Sequence, residues 1–381
     1  MSGVGDAWCW GENFKGQLGN GDQTPQGTPV SPTGAPGPLR QVAAGGLHSV
    51  AVCADGGVWA WGNNRKGQLG NLSESDSPRP VPVRALADVV QVAAGGSHTL
   101  ARCANGLVWA WGNNGGGRLG DGTTASRSTP VRVIGLTEVV RIAAGHRHNL
   151  ALRADGTVWA WGDNDAGQLG IGGQATVLVP VAVPGLSDII DIAAGGYHSL
   201  ALRRTRDLGG ATIWAWGRND DGQLGDSTYR NRPVPVRVSA PPGFSAIAAG
   251  LLHSLAVCSD GTVWNWGSDW RGRWGEGGDL ARTAPCQLLG LTGVTQVAGG
   301  SVFSVALRSD GTAWTWGYNG LGYLGDGTRA DRLTPVRVRG LIGVTQVAAG
   351  ASSRHLMALC RSRPTRSETQ WRNQALVRLV R

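Results

Sequence analysis

Short apolar runs alternate with turns rich in Gly, Asn and Asp along almost the whole chain, and the alternation repeats. A full unit reads Val-Ala-Ala-Gly-Gly-x-His-Ser-x-Ala-x, an Asp-Gly pair, Val-Trp-Ala-Trp-Gly-x-Asn-x-x-Gly-Gln-Leu-Gly, a polar loop, and Pro-Val-x-Val. Its Trp-x-Trp-Gly segment begins at Trp8, Trp59, Trp109, Trp159, Trp214, Trp264 and Trp314, in steps of 51, 50, 50, 55, 50 and 50 residues. A period this long marks an array of supersecondary units, none large enough to bury its own apolar faces. The Asp55-Gly56, Asn105-Gly106, Asp155-Gly156, Asp260-Gly261 and Asp310-Gly311 pairs separate two apolar runs and tolerate the positive φ of a hairpin turn. Pairing outward from Asp55-Gly56 predicts Val52 opposite Trp59 and Ala51 opposite Ala60, so both faces of the sheet are apolar.

A sheet apolar on both faces is covered on both, and a radial stack of like sheets achieves this without helices. About fifty residues hold four strands of roughly 5–6 residues with their turns, and propellers have about 4–8 such blades. The first copy starts in mid-unit at Ala7-Trp8, while 344–360 supplies the two missing strands and stops. The expected fold is therefore all-β: a seven-bladed β-propeller of four-stranded antiparallel blades, one blade closed by the N- and C-terminal segments. The split blade is expected over 1–30 plus 344–360, and the others over 39–83, 89–133, 139–183, 189–238, 244–289 and 294–338. The whole forms one domain, 1–360, followed by a basic tail, 361–381, expected to be disordered, with a marginal helix over 371–380 as the alternative.

These residues resemble the repeat of the regulator of chromosome condensation family: Ala-Ala-Gly-x-x-His-Ser-Leu-Ala-Leu followed by Trp-Ala-Trp-Gly-x-Asn-x-x-Gly-Gln-Leu-Gly, over roughly 4–360. The resemblance implies a seven-bladed propeller. It also brings several functions, among them nucleotide exchange on the GTPase Ran, chromatin binding, ultraviolet perception in plants and secreted inhibition of β-lactamases. The photoreceptor relatives carry Trp two residues before the His, where this chain has Gly46, Gly96, His146, Gly196 and Leu251, which speaks against light perception.

The net charge of +9 narrows little. Residues 361–381 hold six arginines and one acid, Glu368, leaving +4 for the rest. Nucleic acid is not the expected partner, since a solvated basic tail is the commoner case. Thirty-three Arg against two Lys point to a GC-rich, bacterial genome. No signal peptide precedes Ala7 and no apolar run approaches the ~18 residues of a membrane span. A soluble, cytoplasmic monomer is expected, or an extracellular protein if a signal peptide precedes the true start. Six cysteines lack Cys-x-x-Cys spacing; Cys53, Cys103, Cys258 and Cys360 share a column with Arg153, Arg203 and Arg308, and reduced thiols are expected.

Candidate chemistry is sparse. The His column (His48, His98, His148, His198, His253, His355) admits Phe303, so it is a packing position in which each His bonds a neighbouring backbone group. Regular Trp-x-Trp spacing sends both rings to one strand face, against the next blade, as core. The Asn column (Asn13, Asn64, Asn114, Asn164, Asn219, Asn319, with Asp269 in the sixth) caps its own turn. The two lysines, Lys15 and Lys66, precede Gly-Gln rather than forming a phosphate loop, and no catalytic or zinc spacing occurs. No enzyme activity, cofactor or metal is expected.

Variation is left to the loops. The residue after the Asn column runs Phe14, Arg65, Gly115, Asp165, Asp220, Trp270, Gly320, so it points to solvent on one rim. Trp270, Arg271, Arg273, Phe14, Tyr318 and Leu321, with Tyr323 nearby, form the expected protein-binding patch, because exposed aromatics beside Arg make interface hot spots. Trp274 replaces a buried Leu and is expected in the core. Five extra residues in Arg203–Gly210 lengthen one hairpin. The expected role is a non-enzymatic interaction propeller; exchange activity on a small GTPase is the alternative implied by resemblance, and a secreted inhibitor or surface-binding module a further one.

Overall fold

The computed structural model describes residues 4–35, 37–205, 210–270, 272, 275 and 281–362, and these contain 28 strands and no helix. The strands form seven four-stranded antiparallel blades in a closed ring, with two neighbouring pairs of blades each linked by one backbone pairing, Gly5 with Leu39 and Ala211 with Phe244. Six blades are continuous: 39–82, 89–132, 139–182, 189–237, 244–288 and 294–337, numbered one to six. Blade seven is split. Strand Gly5–Gly11 lies between Gln26–Val30 and His355–Arg361, pairing with the latter through seven successive residues from Gly5 with Arg361 to Gly11 with His355. Strand Val344–Ala348 completes that blade on the channel side. The ends of the chain thus share one sheet, as the half-units predict.

The hairpin register differs by one residue from expectation. Val52 faces Val58 and Ala51 faces Trp59, because the turn has three residues, 54–56, rather than two. Gly56 (φ 87°) donates to the Cys53 carbonyl, Cys53 donates to the Gly57 carbonyl, and Asp55 Oδ1 accepts the Gly57 amide at 2.9 Å. Asp-Gly serves both turn lengths, so sequence alone does not separate them. In the 203–210 insertion, residues 206–209 lie outside the described residues; Arg204 still pairs with Ala211.

The paired tryptophans divide the work. The second of each pair, such as Trp61 or Trp161, is fully buried, whereas the first is half-buried. Each buried indole packs on the preceding blade, not the following one: Trp111 joins the cluster of Val50, Val52 and Val58, and donates Nε1–H to the Gln68 carbonyl at 2.9 Å. Trp10, Trp61, Trp161, Trp216 and Trp266 do the same to Tyr323, Gln17, Arg118, Gln168 and Gln223. Trp161→Ala is expected to cost about 3–5 kcal/mol. The half-buried Trp159, whose ring lies 5.7 Å from Arg153, should cost clearly less on truncation; denaturant unfolding of the two variants makes the comparison.

Two further stitches join blades. Each buried His reaches a side chain of the next blade rather than backbone: His48 to Thr99 at 2.9 Å, His98 to Asn149 at 2.7 Å, His148 to Ser199 at 2.9 Å, and His355 to Ser49 at 2.6 Å. Ser199 Oγ in turn donates to the Gln168 carbonyl at 2.8 Å, so the imidazole supplies the proton from Nε2. Phe303 has no such proton, and the residue its ring would meet in blade seven is Leu356; both are buried in one cluster. Nearer the axis, Gln41, Gln91, Gln296 and Gln346 each bond both amide and carbonyl of one residue in the next blade, as Gln41 does with Val92 at 2.7 and 3.2 Å. Arg141 and Asp191 replace this device with an ion pair at 2.6 Å. Asp191 bonds its own neighbour Ile192, and Ala246 holds the next position in the column.

All seven outer strands contain proline, at 29, 80, 130, 180, 235, 285 and 335, within an irregular stretch of pairing that removes donors from the exposed edge. None of the six cysteines is in a disulfide. Their alternation with Arg has a common cause, since Cys103 Sγ donates to the Ala87 carbonyl and Arg153 Nε to the equivalent Thr137 carbonyl.

Candidate functional site

Within every blade the first-to-second and third-to-outer loops emerge on one rim, while the Asp-Gly turns and inter-blade connections emerge on the other, as antiparallel order requires. The first rim is held by the Asn column. Asn64 Oδ1 accepts the Leu69 amide at 2.9 Å and its Nδ2 donates to the Ser73 carbonyl at 2.9 Å, and Asn114, Asn219 and Asn319 repeat the pattern. The cap expected from sequence is present, and it leaves the next side chain outside the core.

Phe14 and Trp270 are 53 % and 50 % exposed on this rim. Tyr318 and Leu321 lie there too but are half-buried against the cluster of blades six and seven, and Tyr323 is buried at 4 %, so these three are less open than expected. Arg271, Arg273 and Trp274 lie outside the described residues. The rings of Trp270 and Tyr318 stand 6.2 Å apart, Tyr318 and Tyr323 5.8 Å, and Tyr323 stacks on Phe303 at 5.6 Å. An aromatic file therefore runs from solvent to the interior across blades five and six.

Below it sits a trio that sequence reasoning missed. The Tyr323 hydroxyl donates to Glu12 Oε2 at 3.3 Å, and Arg354 approaches the same oxygen at 3.7 Å. Burial lifts the Glu12 carboxyl above the usual carboxylate range against the opposing pull of Arg354 and Tyr323, and burial beside Glu12 lifts the Tyr323 phenol. The signal was available: Tyr323 breaks a column of Gln17, Gln68, Gln168 and Gln223 in the blade before the one where Glu12 replaces the Asn of Asn63 and Asn113.

The opposite arc of the rim is charged and internally paired. Arg118 and Arg147 both reach Asp163 at 3.7 Å, and Arg218 meets Asp220 at 2.8 Å while lying over Tyr197. Alanine-rich inner strands of all seven blades line the axial channel. A lengthened loop, 350–354, covers its mouth on this rim: Gly350 abuts the Ala44 and Ala94 carbonyls, and Ser352 Oγ bonds His146 Nδ1 at 2.6 Å. Among the described residues no three His, Cys, Asp or Glu groups gather as a metal site, and no helix is long and apolar enough to cross a membrane.

The sequence profile of the RCC1-like domain matches residues 6–358. The chain belongs to this family. The RCC1-like ring superposes on Prp20p from Saccharomyces cerevisiae with a TM-score of 0.84 and 25 % identity, covering 99 % of this chain and 95 % of that one. It is similar to human WBSCR16 with a TM-score of 0.81 and 26 % identity, covering 94 % and 99 %. Among curated relatives, 84 residues are 45 % identical to the human probable E3 ubiquitin-protein ligase HERC3, and 85 residues are 38 % identical to the Arabidopsis thaliana mitochondrial RCC1 domain-containing protein RUG3. Each match takes in 22 % of this chain but only 8 % of HERC3 and 19 % of RUG3.

Proposed function

We propose that this RCC1-like propeller is a non-enzymatic module that seats a protein partner on the rim carrying Phe14 and Trp270. The reading rests on one observation: half-exposed aromatics stand directly after buried column residues, Asn13 before Phe14 and Asp269 before Trp270, and Asn13 pins the backbone of the Phe14 loop, so contact area is offered there at little ordering cost. Affinity capture from the source cell with Phe14→Ala and Trp270→Ala is expected to lower partner recovery at least roughly tenfold, the scale of a hot-spot side chain. Unchanged recovery removes the rim from the account.

Nucleotide exchange on a small GTPase is a second reading, favoured by likeness to Prp20p, whose structure was described with its binding to Gsp1p and histones. Such exchange needs no catalytic side chain of the propeller, only a surface that distorts the partner's nucleotide site. Release of a fluorescent guanine nucleotide from the GTPases of the source cell, faster with this chain than without it, would support that reading; equal rates reject it.

A further inference from the structure

Charge on the rim is divided as unevenly as aromatic area. Following the Asn column, the second free position holds Lys15, Lys66, Gly116, Ala166, Asp221, Arg271 and Leu321, so both lysines of the chain stand in neighbouring blades, seven and one. Gly16 fixes how the first is presented: its φ is 75°, and an added Cβ would strike Pro78 of blade one, which holds the two loops together. Lys15 Nζ crosses that joint to Asp76 Oδ2 at 3.2 Å, and Asp76 Oδ1 accepts the Asn64 amide at 2.8 Å, anchoring the loop of Arg65 and Lys66 to the loop of Phe14.

Arg65 and Lys66 are exposed, and neither has an ion-pair partner among the described residues. The basic residues of the far arc differ: Arg118, Arg147 and Arg218 are each taken up by an aspartate. Blade two contributes only Gly115 and Gly116 at these positions, so the basic step ends there. Among the described residues, the rim from blade five to blade one therefore presents Trp270, then Tyr318, then Phe14, then two cations without an ion-pair partner.

Resting on the rim reading above, we propose that the partner offers an acidic polypeptide segment whose apolar side chains lie on Phe14, Tyr318 and Trp270 and whose carboxylates meet Arg65 and Lys66. Unpaired surface cations beside an apolar patch favour a complementary anion, speed encounter with it and set its direction along the rim.

Panning a random peptide display library on the full chain tests this. The enriched pool is expected to combine Asp or Glu with aromatic or leucine residues, to weaken as salt rises, and to lose roughly tenfold or more in affinity on Arg65→Glu/Lys66→Glu. Should that pair of changes unfold the protein, Arg65→Gln/Lys66→Gln serves, with melting temperature as the check. A neutral or basic pool, or an acidic one indifferent to Arg65 and Lys66, overturns the inference; so does a DNA oligonucleotide that competes through the same two residues. A pool that depends on Phe14 and Trp270 but not on the cations leaves the rim reading standing, whereas no pool, or one indifferent to all four residues, removes both.

Discussion

Deleting residues 1–11 is expected to abolish cooperative folding rather than merely lower its midpoint. The segment supplies strand Gly5–Gly11, and with it all seven pairings to His355–Arg361. It buries Ala7, Cys9 and Trp10, the last at 0 % exposure with its indole bonded to the Tyr323 carbonyl at 2.9 Å. Losing one such indole alone costs about 3–5 kcal/mol, and whole domains have only about 5–15 kcal/mol to lose. The neighbouring joint gives no relief, since Phe303 and Leu356 stand where other joints have a His hydrogen bond. Far-ultraviolet circular dichroism during heating of the truncated and full chains is the measurement. A sharp transition within a few degrees of the full chain would show that strand sharing does not close the ring.

Mild acid is expected to unfold the protein through its buried histidines. Burial holds His48 and His146 down to about 4, and His98, His148, His198 and His355 down to about 3, from an ordinary 6.5. These imidazoles stay neutral in the fold and take up protons when it opens. Their contribution is therefore complete above pH 6.5 and is lost as pH falls toward the folded values of 3 to 4. Each contributes about 1.4 kcal/mol per pH unit inside that window, so six acting together remove about 8. A midpoint between about pH 6 and 4.5 follows for a domain of ordinary stability. Tryptophan fluorescence against pH gives the midpoint, and calorimetry in buffers of different ionisation heat counts about six protons absorbed on unfolding near pH 5. A native spectrum at pH 4 would contradict it.

The blade count and the closure were legible because they depend only on period and on two half-units that complete each other. What the sequence hid were relations between copies. The partner of each His lies 51 residues on in most joints, so Ser49, Thr99, Asn149 and Ser199 looked like filler after a His rather than acceptors for the blade before. The substitution of Leu356 where Phe303 replaces His was a readable clue, since both halves of one contact change together. Exposure at the rim was legible only where a column drifts freely, as at Phe14 and Trp270. Tyr318 and Tyr323 belong to columns that face the next blade, and their size fills that space instead of leaving it.

The ring is fastened unevenly. From blade seven round to blade three, every joint carries a glutamine clasp, an imidazole bond and an indole bond. Beyond blade four the clasp gives way to Asp191 and Ala246, and before blade seven the imidazole is Phe303. Trp270 and Tyr318 stand on this looser span, and Phe14 stands at its end, on the blade whose joint to blade one is complete. A visitor pressing there meets joints that each lack one of the three fastenings but keep others: His198 with Ser254 and the Trp266 indole between blades four and five, His253 with Ser304 between five and six, and the Gln296 clasp with the Trp10 indole between six and seven.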